Sequence, residues 1–136
     1  QSQACTGTSI ISQWAAVTAL EGDQGFLKGW VDIFKERRDI VVSMLNQASG
    51  LDCPTPEGAF YVYPSVAGCL GKKTPDGDMI KNDEDFCKYI LETEGVGIVH
   101  GAAFGLEPFF RLSYAAATDV VEDCCARIQR ACANLT

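Results

Sequence analysis

A single histidine, two methionines and five prolines are spread over 136 residues, and the shortage of histidine alone removes several chemistries. His100 has no second imidazole to join it in a zinc site of the usual ligand spacing, and no Ser-His-Asp or Cys-His set is available for it to complete. No metal site is therefore expected. Basic residues are outnumbered eleven to eighteen, for a formal net charge of −7, and they gather only at Lys35-Glu36-Arg37-Arg38 and Lys72-Lys73. The first of these reads as the solvated side of a helix. The concentrated basic face that a phosphate backbone requires is missing, which argues against nucleic acid as a partner. There is no glycine-rich phosphate loop, and no alternation of strands and helices long enough for a doubly wound sheet. Gly, Asp and Lys interrupt the apolar stretches well short of the ~20 residues that a bilayer-spanning helix needs, so no membrane partner is expected. The opening Gln1-Ser2-Gln3 carries neither an initiating methionine nor a charged-then-apolar leader, and the chain is expected to be a piece of something longer.

Cysteine is the residue in surplus. Cys5, Cys53, Cys69, Cys87, Cys124, Cys125 and Cys132 are odd in number and contain no Cys-x-x-Cys pair, so reduced thiols in a cytoplasmic protein are expected. A secreted cysteine-rich domain, the competing reading, would need those thiols paired. Cys124, Cys125 and Cys132 share one helical pattern and are expected to pack in or near the core. A chain of this length can form one domain and bury roughly two-thirds of its unfolded surface.

Hydrophobic spacing sets out the elements. Ile10, Trp14, Val17 and Leu20 predict a helix over residues 9–20, with Thr8 or Ser9 as N-cap and Glu21-Gly22-Asp23 as its stop. A longer helix is predicted over residues 25–48, with Phe26, Trp30, Ile33, Phe34, Val41, Met44 and Leu45 as its stripe and Ser49-Gly50 at its end. Residues 58–64 read as a strand closed by Pro64. Residues 68–81 form a turn-rich excursion around Pro75-Asp76-Gly77. Asn82 or Asp83 caps a third helix that runs to Glu94 with Phe86, Tyr89, Ile90 and Leu91 inward, and Gly95 ends it. Short strands are predicted over residues 96–99 and 109–115. Thr118 is expected to cap a last helix carrying Val120, Val121, Cys124, Ile128 and Ala131. The layout is α+β, with helices covering one face of a small sheet.

Arg111 is conspicuous because Phe109-Phe110-Arg111-Leu112-Ser113-Tyr114-Ala115 otherwise reads as a buried strand. A guanidinium among apolar neighbours keeps its charge and calls for an anion. That anion is either an internal Asp or Glu or the carboxylate of a small substrate, which a planar fork grips through two parallel hydrogen bonds.

Four ordered runs carry a family resemblance: residues 8–16, Thr-Ser-Ile-Ile-Ser-Gln-Trp-Ala-Ala; Arg37-Arg38-Asp39; Pro56-Glu57-Gly58-Ala59-Phe60-Tyr61; and Gly95 to Gly101 leading to Ala103-Phe104-Gly105 and residues 110–115. Through them the chain resembles the C-terminal portion of a class I aminotransferase, a pyridoxal-phosphate enzyme of the aspartate aminotransferase fold type. The resemblance implies that residues 1–24 close the large domain and its hinge. Residues 25–136 would then form the C-terminal small domain together with the long inter-domain helix. It implies further that Arg111 receives the substrate α-carboxylate, that Phe60 lines the substrate cleft, and that Thr6 stands where relatives bring a segment near the cofactor of a neighbouring subunit. Read from the residues alone, Phe60 is more readily a core aromatic than a cleft residue.

The chain also departs from the family pattern. Ser2 cannot play the part of the arginine with which some relatives grip a side-chain carboxylate, and His100 replaces the proline common before Gly101. Lys28, Lys35, Lys72, Lys73, Lys81 and Lys88 do not stand in the family's Schiff-base motif, so no catalytic residue is assigned here and the piece alone is expected to be inactive. As a whole protein the resemblance implies an amino-acid:2-oxo-acid aminotransferase, cytoplasmic and homodimeric. The alternative is a non-catalytic aminotransferase-like domain kept for ligand sensing or interaction.

Overall fold

The structure is a computed structural model and describes residues 7–136, in two compact units with the division of the chain between Ile33 and Phe34. The first unit holds helix α1, Ile10–Glu21, and the opening turns of helix α2, Phe26–Leu45. Ser9 stands at the α1 N-cap position but its hydroxyl makes no capping hydrogen bond, and no residue of α1 is buried. Ile11, Ala15, Ala16 and Ala19 extend the apolar surface beyond the stripe of Ile10, Trp14, Val17 and Leu20, so the helix is apolar around much of its circumference. Such a helix normally belongs inside a protein. Phe26 and Trp30 are exposed as well, in contrast to the inward stripe expected of them.

In the second unit α2 acquires a true inner face, where Val41 and Leu45 are fully buried and Phe34, Val42 and Met44 pack against the core. Arg37 and Arg38 are half-buried rather than solvated. Arg37 Nε donates to Thr118 Oγ1 at 3.2 Å, and Arg38 pairs with Asp39 at 2.7 Å. Gly50 follows α2 with φ of 88° and lies so close to Gly68 that a Cβ on Gly68 would sit 2.7 Å from the Gly50 Cα. That crossing of two backbones requires glycine at both positions.

Helix α3, Asp83–Glu94, starts on an effective cap, because Asn82 Oδ1 accepts from the Asp85 amide at 2.8 Å. It ends on Gly95 in the left-handed region, φ 68°, as a C-terminal glycine should. Leu91, expected inward, is exposed. Helix α4 is Thr118–Ala133, and its N-cap position is Ala117 rather than Thr118, whose hydroxyl is used by Arg37. Val121, Cys125, Ile128, Ala131 and Cys132 form its buried face, while Val120 points to solvent and Cys124 is half-buried. The described cysteines are free. Burial pushes the Cys53, Cys87 and Cys125 thiols up to about 12.

Three short strands, β1 Tyr61–Val62, β2 Val99–His100 and β3 Phe110–Ser113, form an antiparallel sheet in the order β1-β3-β2. Tyr61 pairs with Ser113, and Val99 pairs with Arg111. The ladders are shorter than predicted, but isolated bridges from Asp52 to Ser65 and from Ser65 to Phe109 continue the extended backbone. The core fills between sheet and helices, with Phe86 of α3 stacked on Phe110 of β3 at 5.6 Å. Burial alternates along the β1 and β3 segments: Val62, Pro64 and Val66 are buried while Tyr61, Tyr63 and Ser65 are half-exposed. Along β3 and the residue that follows it, Phe110, Leu112 and Tyr114 turn inward.

Candidate functional site

That period of two decides the setting of Arg111. Its sequence neighbours Phe110 and Leu112 enter the core on one face of β3, so Arg111 and Ser113 occupy the other. Arg111 is consequently half-buried on the open face, not enclosed among the apolar side chains that flank it in sequence. Its guanidinium carbon lies 4.6 Å from the Tyr61 ring centroid and 4.3 Å from that of Phe104. Such contacts contribute about 0.5–2 kcal/mol each, depending on exposure. Among the described residues no carboxylate forms an ion pair with Arg111. A guanidinium that lies against aromatic rings and forms no ion pair with a described carboxylate keeps N–H donors for an anion.

Phe60, the second residue expected at a substrate cleft, is 41% exposed and packs beside this cluster, 4.4 Å from Tyr61 and 6.4 Å from Phe34 between ring centroids. It is therefore a partly exposed rim aromatic and not part of the enclosed core. Its backbone is fixed by an unusual turn, because Ala59 has φ of 60°, a conformation disfavoured for a residue with a Cβ. Tyr114 holds that turn twice: its amide donates to Phe60 O at 2.9 Å and its hydroxyl to Ala59 O at 3.0 Å. Thr6 and Ser2 lie outside the described residues. His100 is half-buried on β2 opposite Phe110.

The residues alone did not single out Tyr61 and Phe104 as site residues, although the rings of both lie against the Arg111 guanidinium. The signal for Tyr61 was its register, one residue beyond Phe60 and on the face shared with Ser113. Tyr63 continues the aromatic surface, stacked on Phe109 at 5.7 Å and edge-on to Phe104 at 6.4 Å. Burial, then the Asp83 charge, raise its hydroxyl above the ordinary phenol range, while the Arg111 charge pulls the other way. Among the described residues there is no cluster suited to a metal ion and no helix long and apolar enough to cross a membrane.

A small antiparallel sheet backed by helices, with a cation presented among aromatic rings on its open face, is the setting in which the family can be stated. The chain belongs to the aminotransferase class I and II family, whose pattern matches residues 1–128. Among individual proteins it is 57% identical over 132 residues to a probable aspartate/prephenate aminotransferase of Rhizobium leguminosarum bv. phaseoli, covering 97% of this chain and 33% of that one. It is 53% identical to the aspartate/prephenate aminotransferase of Cereibacter sphaeroides, covering 100% of this chain and 34% of that one. The crystal structure of the aspartate aminotransferase from Rhizobium meliloti superposes with a TM-score of 0.94 at 52% identity, over 99% of this chain and 34% of that one. The chain thus spans about a third of the length of these relatives, and its fold is that of their C-terminal domain.

Proposed function

We propose that the complete protein is a pyridoxal-phosphate-dependent amino-acid:2-oxo-acid aminotransferase, and that Arg111 receives the α-carboxylate of its substrate. The observation that carries this reading is a half-buried guanidinium, gripped by the Tyr61 and Phe104 rings and unpaired with any described carboxylate. Two hydrogen bonds from one rigid fork fix both carboxylate oxygens and so limit rotation of the substrate about its Cα. Phe60 and Tyr61 supply apolar surface beside that grip and exclude water from one side of it. The names of the relatives point to aspartate as one amino donor.

The described residues fit the substrate side of such a site rather than the cofactor side. Lys72 Nζ lies 3.5 Å from Ser49 Oγ and Lys88 pairs with Glu92, so these ammonium groups serve elsewhere. When bound, the cofactor supplies the electron sink for breaking a bond at the substrate Cα. Its lysine is proposed to come from the remainder of the protein, which leaves this chain inactive by itself. The apolar surface of α1 is proposed to be covered by that remainder in a cytoplasmic homodimer.

The test is Arg111→Ala in the complete enzyme. Loss of a charge-assisted bidentate contact worth about 3 kcal/mol should lower kcat/KM for an amino acid on the order of a hundredfold. An unchanged kcat/KM would remove the assignment.

A further inference from the structure

Helix α3 touches both halves of the Arg111 setting. Phe86 supports the strand from beneath by stacking on Phe110, the residue next to Arg111. One turn earlier, Asp83 lies on the same side of the helix, as i and i+3 residues do. Its carboxylate is 1% exposed, and Oδ2 accepts from the Ala102 amide at 2.9 Å. Ala102 belongs to the 3₁₀ turn Gly101–Phe104 that delivers the Phe104 ring to Arg111.

That turn lacks a cap of its own. His100 occupies its N-cap position with no side-chain hydrogen bond, so a first-turn amide that a local cap would satisfy is satisfied instead by Asp83 from another element. Tyr63 completes the anchorage, its hydroxyl donating to Gly101 O at 3.2 Å. Gly101 is buried so tightly that a Cβ there would collide with the Leu106 carbonyl and lie 3.0 Å from the Tyr63 hydroxyl. Asp83, Tyr63 and Gly101 thus fix the start of the turn, whereas Phe104 at its end is half exposed and has the Arg111 contact to make. A buried carboxylate spent on one backbone amide is costly unless the geometry it enforces matters.

We infer that Asp83 is a positioning residue for substrate capture: by holding the Ala102 amide it seats Phe104 against Arg111 and so presets the guanidinium that grips the substrate carboxylate. The inference rests on the carboxylate-binding role proposed for Arg111. Asp83 touches neither substrate nor cofactor in this scheme, and its effect passes through the turn and the ring. It therefore acts on carboxylate binding more than on the chemical step.

The experiment uses the complete, cofactor-loaded protein and measures KM and kcat for aspartate together with the dissociation constant of succinate, a carboxylate probe without an amino group. Asp83→Ala is expected to raise KM and the succinate constant about tenfold, the size of one lost hydrogen bond to a charged group, with kcat changed less. Asp83→Asn, which retains an acceptor for the Ala102 amide, should restore most of the loss. In an Arg111→Ala background the effect of Asp83→Ala should vanish. If Arg111→Ala weakens succinate binding but Asp83→Ala does not, or if Asp83→Ala costs the same in both backgrounds, the positioning role is overturned while the Arg111 reading stands. If Arg111→Ala itself leaves succinate binding unchanged, the Arg111 reading fails and takes this inference with it. Should Asp83→Ala not fold, Phe104→Leu at the exposed end of the same turn carries the test, with the same dependence on Arg111 expected and an unchanged succinate constant contradicting it.

Discussion

The stretch up to Ile33 and the stretch from Phe34 onward are both rich in large apolar residues, yet they end in opposite states. In the first, Trp14 is 67% exposed and no α1 residue is buried; in the second, Phe110, Phe86 and Ile128 are fully buried. The difference lies in partners rather than in composition. Phe110 has α3 beneath it and two strands beside its own, so its burial is closed by elements of the same unit. Helix α1 has a helical pattern and no second layer among the described residues of its unit, and hydrophobic burial requires two surfaces. An apolar periodicity therefore predicts a helix more securely than it predicts which residues become core.

The largest effect that can break this contrast is in the closed core. Phe110→Ala should cost about 3–5 kcal/mol, read as a lower denaturant midpoint at constant slope. Trp14→Ala in the same 136-residue chain should stay within about 0.5 kcal/mol. In the complete protein, where the α1 surface is proposed to be covered, Trp14→Ala should become clearly destabilising. Equal, small effects in both contexts would end that proposal.

Helix starts give a smaller contrast between the same regions. Asn82→Ala removes a cap whose oxygen accepts from Asp85 and should cost about 1 kcal/mol. Ser9→Ala, at a cap position with no side-chain hydrogen bond, should shift the thermal midpoint hardly at all.

The smallest expected effect is electrostatic. Arg130 hydrogen-bonds Glu94 through Nε at 3.0 Å. That bond holds the Glu94 carboxyl below the usual 4.5 against the opposing pull of desolvation, with the Arg130 and Arg127 charges assisting. Because the folded value is the lower one, the stabilisation is fully present above the ordinary carboxylate pKa and is lost as pH falls through the folded value. Glu94→Gln should flatten the acid limb of the stability curve slightly and leave the neutral region nearly unchanged. No change in slope below pH 4.5 would remove Glu94 from the acid response.

Much of the fold was legible because its signals are local. Asn82 and Gly95 bound α3 as their chemistry predicts, and the run containing Arg111 was recognisable as a strand from its residues alone. What was not legible depends on long-range pairing. Asp83 reaches Ala102 nineteen positions away, and Arg37 reaches Thr118 eighty-one positions away. The latter diverts the hydroxyl expected to cap α4. Arg111 was read as enclosed because its neighbours are apolar, whereas the two-residue period of a strand sends those neighbours to the opposite face. Phe104 was visible as part of a familiar run, but its contact with Arg111 follows from a turn whose anchor lies on another helix.

The central claim is that Arg111 recognises a carboxylate, and the most direct measurement compares an amino acid with the corresponding amine that lacks the carboxylate. In the complete enzyme, Arg111→Ala should reduce the kcat/KM preference for the amino acid over that amine on the order of a hundredfold, mainly by slowing the amino acid. A preference that survives the substitution intact would contradict the account.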